Sequence, residues 1–194
     1  MIQRVTASQY GQSVGQILPT FSLSPLEGGE AVSLDETLAS RAGAVVIFWS
    51  SICSHCVRYD PYLNGFQASH PDIALLVIAS RQSETLAQIR AARTERGLRF
   101  PILADAEGQV AAAWFAQQTP RAYLLGPDRT LRYRGAIDNF KYPEDPEFEP
   151  YLEPALASFG AGQPIARPET ASFGCAITSV YYVMPKMIRR ADRG

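Results

Sequence analysis

Apolar and polar positions along this chain fall into a few distinct rhythms. Ala44–Trp49 (AVVIFW) and Ile73–Ala79 (IALLVIA) are unbroken apolar runs rich in β-branched residues. That pattern predicts strands covered on both faces, in a sheet that is at least partly parallel. Residues 17–34 instead alternate around Glu27-Gly28-Gly29, which predicts two short strands joined by a glycine turn. Asp35–Ser40 reads as a short helix capped by Asp35.

Val57, Tyr59, Leu63 and Phe66 recur at roughly helical spacing and predict a helix over Cys53–Ala68, kinked at Pro61 because proline removes an amide donor. Ser83–Arg96 reads as a helix capped by Ser83 and stopped by Gly97, followed by a short strand at Phe100–Leu103. Glu107–Phe115 is predicted helical. Arg121–Leu125 and Thr130–Arg134 flank the turn Gly126-Pro127-Asp128-Arg129 as an antiparallel hairpin. After Gly135 the proline-rich, acidic DNFKYPEDPEFEP reads as loop, Tyr151–Phe159 as a last helix and the remainder as an irregular tail. The running order predicts an α/β protein. Its domain is placed at residues 17–160, between an amino-terminal extension (1–16) and a carboxyl-terminal tail (161–194) packed on the domain or trailing from it.

Length and charge narrow the function. A chain of 194 residues is long enough to bury roughly 70% of its unfolded surface without a covalent staple. Its three cysteines are too few for a disulfide scaffold and therefore read as chemistry or core filler. A net charge of −1, with no basic run except IRRADRG at the carboxyl end, argues against nucleic acid as a partner. The apolar run 42–52 is about half the ~20 residues that span a bilayer. The first sixteen residues show no apolar core of signal-peptide type. The expectation is a protein that stays in the cytoplasm, or works outside it if a leader has been removed. Oligomeric state is not written in the pattern.

The chemistry concentrates in IFWSSICSHCVRYDP. A thiolate rather than a thiol attacks a disulfide, so a redox cysteine needs something to hold its charge. With a strand ending at Trp49 and a helix starting near Cys53, the first cysteine sits among unpaired amide donors at the helix start. Cys56, one turn on, is placed to close a disulfide with Cys53, and the pair is expected to lie within reach of each other and of solvent. A protonated His55 would favour the Cys53 thiolate, stabilise the reduced form and so make the disulfide a better oxidant.

FWSSICSHCVRYDP resembles the active-site segment of the thioredoxin-like superfamily: FW-x-x-x-C-x-x-C with a proline, here Pro61, five residues after the second cysteine. QTPRAYLLGPDRTLRYRG is similar to the superfamily's later segment, a threonine and a cis-proline leading into a hairpin. LPTFSL and SETLAQIRAARTERGLRFPILAD are most similar to the redoxin branch, of TlpA and ResA type, bordering the AhpC/TSA peroxiredoxins. The likeness runs from about Gly15 to Asp138. It implies a thioredoxin-like fold, with a central mixed β-sheet flanked by helices, an amino-terminal hairpin and an irregular carboxyl-terminal extension. It also implies that Pro120 is the cis-proline, that Thr119-Pro120 pairs with a partner's backbone, and that the partners are protein thiols or disulfides plus a redox partner not named by the sequence. No cofactor beyond the Cys53–Cys56 disulfide is expected. Two departures stand out: Ile47 occupies the position of thioredoxin's buried aspartate, and Ile52 replaces the tryptophan that usually precedes the first cysteine.

Competing readings are weaker. C-x-x-C-H haem attachment fails because Val57 follows Cys56, and zinc lacks a second ligand pair beside Cys53, Cys56, Cys175, His55 and His70. A peroxidase of peroxiredoxin type needs P-x-x-x-T-x-x-C; Ser50 stands at the threonine position, but Val46 replaces the proline, with Arg121 as the cation such a site requires. A binding module with structural cysteines is the non-enzymatic alternative. Cys175, flanked by apolar residues in SFGCAI, reads as a buried spectator more readily than as a third redox partner. His70 reads as a solvated turn residue, Arg90, Arg93, Arg96 and Arg99 as a solvated helix face, and Tyr181 and Tyr182 as packing residues.

Overall fold

The structure is a computed structural model that describes residues 13–80, 83–140, 142 and 144–177. Its spine is a seven-stranded sheet. In chain order the strands are β1 (Ser22–Pro25), β2 (Val32–Ser33), β3 (Gly43–Trp49), β4 (Ile73–Ala79), β5 (Ile102–Ala104), β7 (Arg121–Leu125) and β8 (Leu131–Gly135), ordered β2-β1-β5-β4-β3-β7-β8 across the sheet. β3, β4 and β5 run parallel, whereas β7 is antiparallel to β3, β8 to β7 and β1 to both β5 and β2. The sheet is therefore mixed. Every residue of β3 and β4 is buried, as their unbroken apolar runs predict.

The two faces of β3 serve two cores. Val45, Ile47 and Trp49 enter the layer that also holds Cys53, Cys56, Leu63 and Phe66. Ala44, Val46 and Phe48 enter the other, packed on Trp114, Tyr123 and Leu34. Burying a large apolar side chain contributes roughly 1.5–3 kcal/mol, so the central strand anchors both layers.

The helices are α1 (Leu34–Ala39), α2 (Ser54–Val57), α3 (Asp60–Ser69), α4 (Leu86–Arg96), α5 (Gln109–Ala113) and α6 (Leu152–Gly160). Three differ from their predicted form. α1 is capped by the Ser33 hydroxyl, which accepts from the Glu36 amide, so Asp35 lies inside the first turn. α4 is capped by Thr85 in a reciprocal capping box with Gln88, which leaves Ser83 outside the helix; Gly97 ends it in the left-handed conformation, as predicted. The single kinked helix is in fact two. The chain breaks after Val57, and Pro61 lies in the first turn of α3, where its missing amide costs nothing.

A second, two-stranded ladder was not predicted. β6 (Gln118–Thr119) pairs antiparallel with β9 (Cys175–Ala176), setting Thr119 opposite Cys175. The segment leading into β9 is stitched on beforehand: the Arg134 amide donates to the Pro168 carbonyl at 3.0 Å, and the Thr170 amide to the Arg134 carbonyl at 3.0 Å. Residues 13–18, partly counted with the amino-terminal extension, are likewise tied down, with the Gly15 amide donating to the Leu131 carbonyl at 2.8 Å. No described helix is long and apolar enough to cross a membrane. Tyr181, Tyr182 and the basic run near the carboxyl end lie outside the described residues.

Candidate active site

The end of β3 delivers Ser50, Ser51 and Ile52 into a tight turn, and Cys53 follows as the N-cap of α2, with φ −90° and ψ 111°. Its carbonyl accepts from the Cys56 amide at 2.8 Å, which folds Cys56 back under the same turn. Both cysteines are free thiols. They stand about 3.6 Å apart, beyond the ~2.05 Å of a disulfide, so the geometry is that of a reduced pair.

Braces from α4 and from Glu84, just ahead of its cap, hold the turn from behind. The Ser51 amide donates to Glu84 Oε1 at 2.6 Å, and Arg96 Nη1 donates to the Ser51 carbonyl at 2.8 Å. Arg96 also pairs with Asp60 at 2.9 Å and lies over the Trp49 ring, 5.3 Å from its centroid. Desolvation pushes the Asp60 carboxyl up, and the Arg96 guanidinium pulls it back down. A solvated arginine face is thus the wrong description. Arg90 donates to the Leu26 carbonyl, Arg93 pairs with Glu27 at 2.9 Å, and of the four only Arg99 is left exposed with no bond from its guanidinium described.

Opposite the turn stands the β6–β9 ladder. The Thr119–Pro120 peptide is cis. Cys53 Sγ lies 3.3 Å from the Thr119 carbonyl, to which a protonated thiol donates. A Cβ on Gly174 would sit 1.8 Å from that same carbonyl oxygen, so only glycine allows the tail to lie flush on the cis-proline turn. Cys175 follows directly, partly buried, and packs against the cluster that contains Cys53 and Cys56.

This environment splits the two thiols. Hydrogen bonding from Cys56 holds Cys53 well below the ordinary thiol range; burial opposes the shift, and the Cys175 and Thr119 side chains add to it. Cys56 moves the opposite way, raised first by desolvation and then by the neighbouring Cys53. The helix-dipole expectation needs correction, because α2 has only four residues and the neighbouring thiols and Thr119 supply the donors instead. Cys53 is also not open to solvent. Its relative exposure is 0%, under the Thr119 and Cys175 backbone.

The remaining predicted residues disperse. His55 and Pro120 line a cleft of about 520 Å³, with Arg58, Tyr59, Phe140 and Phe173 among its other walls. Ser50 is buried at the start of the turn, and its carbonyl accepts from the Cys53 amide at 3.3 Å. Arg121 does not join the thiols: its guanidinium lies over Tyr123, 5.9 Å from the ring centroid, in the opposite core layer. His70 is no solvated bystander, since its Nε2 lies 3.1 Å from Glu153 and its ring packs on Phe66. Cys175, read as a buried spectator, is a wall of the site. Among the described residues no three His, Cys, Asp or Glu side chains gather in a metal-holding arrangement.

Comparison with known proteins agrees with this architecture. The AhpC/TSA family model matches residues 14–134. The thiol-disulfide oxidoreductase ResA of Geobacillus thermodenitrificans is 29% identical over 133 residues, covering 69% of this chain and 74% of that protein. ResA of Bacillus subtilis is 23% identical over 124 residues, 64% of this chain and 68% of that protein. A hypothetical protein of Sinorhizobium meliloti superposes with a TM-score of 0.75 at 26% identity, covering 85% of this chain and 93% of its own. A putative thiol:disulfide interchange protein DsbE from Chlorobium tepidum shares the fold, with a TM-score of 0.62 at 18% identity over 76% of this chain and 97% of its own.

Proposed function

The chain belongs to the AhpC/TSA family, and from that premise we propose that it is a thiol-disulfide oxidoreductase working through Cys53 and Cys56 on protein thiols or disulfides. The observation that carries the reading is the placement of two free thiols about 3.6 Å apart on one turn, with Cys53 Sγ 3.3 Å from the carbonyl of Thr119, which leads into the cis Pro120. Cys53 is the nucleophile. Its thiolate attacks one sulfur of a partner disulfide, forming a mixed disulfide and releasing the other sulfur as a thiolate. Cys56 keeps its proton until the Cys53 charge is consumed, then loses it as it attacks Cys53 Sγ. The partner leaves as a second thiolate, and the chain holds a Cys53–Cys56 disulfide. Read backwards, the same steps reduce that disulfide and oxidise the partner. His55 and Pro120, on the cleft wall, orient whatever sulfur approaches, and Thr119 donates to the Cys53 thiolate.

ResA relatives are named for thiol-disulfide exchange, which agrees with this reading. Peroxidase chemistry is the alternative within the family. The placement of Arg121 over Tyr123, away from Cys53, disfavours it, as does the buried Val46 where that chemistry needs proline. Insulin reduction assays test the choice. Cys53→Ser is expected to abolish turnover and Cys56→Ser to stall with Cys53 held in a disulfide that it cannot resolve, whereas undiminished turnover in both variants defeats the assignment. Oxidation of Cys53 by stoichiometric peroxide far faster than free cysteine would favour the peroxidase instead.

A further inference from the structure

The edge of β6 beside the cysteine pair is already occupied. β9 pairs with it in antiparallel register, Thr119 opposite Cys175. The fit is close on both sides of Cys175: Gly174 lies flush on the Thr119 carbonyl, and the Ile177 amide donates to the Gln117 carbonyl at 2.8 Å. Further back, the Gln118 side-chain amide donates to Ser172, and Ile177 is fully buried in the far core layer. The tail therefore holds Cys175 opposite Thr119, whose carbonyl lies 3.3 Å from Cys53 Sγ.

Accessibility then orders the three sulfurs. Cys53 and Cys56 are each 0% exposed, whereas Cys175 is only partly buried. Phe173, 78% exposed, flanks it on the wall of the cleft that His55 and Pro120 also line. A folded partner reaches Cys175 before it reaches Cys53.

We propose that Cys175 is a third redox-active thiol, the relay through which the buried Cys53–Cys56 pair exchanges with protein disulfides. This rests on the reading of the pair given above. In the oxidising direction Cys175, losing its proton to solvent, attacks the partner disulfide, forming a mixed disulfide and releasing one partner thiolate. The Cys53 thiolate then attacks Cys175 Sγ, forming a Cys53–Cys175 disulfide and releasing the second partner thiolate. Cys56, losing its proton, attacks Cys53 Sγ, which closes the Cys53–Cys56 disulfide and returns Cys175 as a thiolate. Two electrons pass to one partner disulfide, and the sequence reverses when the partner is a dithiol.

The test combines a trap with a rate. Cys56→Ser, treated with one equivalent of oxidised glutathione and mapped by non-reducing peptide mass spectrometry, is expected to accumulate an intrachain Cys53–Cys175 disulfide. A glutathione adduct on Cys53 with Cys175 left free overturns the proposal. Cys175→Ser, and Cys175→Ala in case serine disturbs the seam, are expected to slow exchange with insulin about tenfold or more. In dithiothreitol buffers the Cys53–Cys56 disulfide of both variants still forms and breaks. Insulin exchange at the wild-type rate in either variant overturns the relay alone, whereas a wild-type pair that never cycles defeats the underlying oxidoreductase reading.

Discussion

Cys53 and Cys56 are one helical turn apart, and the regions around them are opposites. Cys53 faces the β6–β9 seam, where the neighbouring Cys56, Cys175 and Thr119 side chains favour its thiolate. Cys56 faces the core, where desolvation dominates and its nearest titrating neighbour is the Cys53 sulfur itself. The same side chain is a poised nucleophile in one place and a reluctant acid in the other. The contrast teaches that polarity in a C-x-x-C pair is set first by the two sulfurs acting on each other and by burial, with residues 119 and 175 adding to it here.

Four perturbations probe that contrast. The largest effect is expected from Arg96→Ala, which removes the brace behind the Cys53 turn and leaves the Asp60 carboxylate buried without its cation. It should destabilise the fold by about 3 kcal/mol in urea unfolding, whereas Arg99→Ala, at an exposed position, should change little.

Gly174→Val comes next. Its Cβ would overlap the Thr119 carbonyl, so the seam must part, at about 2 kcal/mol. The telling readout is ultraviolet thiolate absorbance: as Cys175 withdraws, the Cys53 titration should move to higher pH while Cys56 stays protonated.

The third concerns pH directly. Cys53 is depressed in the folded state, so the reduced protein gains stability from it above the unfolded thiol's ~8.5 and loses that gain as pH falls through the folded value. Thiolate absorbance should therefore persist below neutral pH in wild type and vanish in Cys53→Ser. In Cys56→Ala, which removes the donor, it should remain but titrate higher, because the Cys56 hydrogen bond is the strongest contributor to the shift. The smallest effect is expected from His55→Ala. Standing on the cleft wall, His55 should alter the potential of the pair by no more than ~30 mV in a glutathione titration.

The parts of the molecule with local rhythm were legible in the sequence. β3 and β4 declared themselves by unbroken β-branched runs, and the cysteine turn by its place between a strand end and a helical pattern. The seam was not legible. β6 and β9 are two residues each, too short for any period, and the Thr119–Cys175 pairing joins positions 56 apart with no pattern to announce it. Apolar neighbours made Cys175 read as core, since flanking hydrophobicity reports burial of a segment and not which face a side chain takes. Arg96 misled for a similar reason. Arginines at three-residue steps look like a wet surface until Asp60, Trp49 and the Ser51 carbonyl converge on one of them.

The most direct test of the central claim is an equilibrium titration of the reduced protein against glutathione buffers, with the linked peptides mapped at each point. The expected result is one two-electron transition that yields a Cys53–Cys56 disulfide, at a potential less negative than the roughly −270 mV of thioredoxin because the Cys53 thiolate is stabilised. A protein that stays fully reduced at every ratio, or whose final disulfide excludes Cys56, contradicts it.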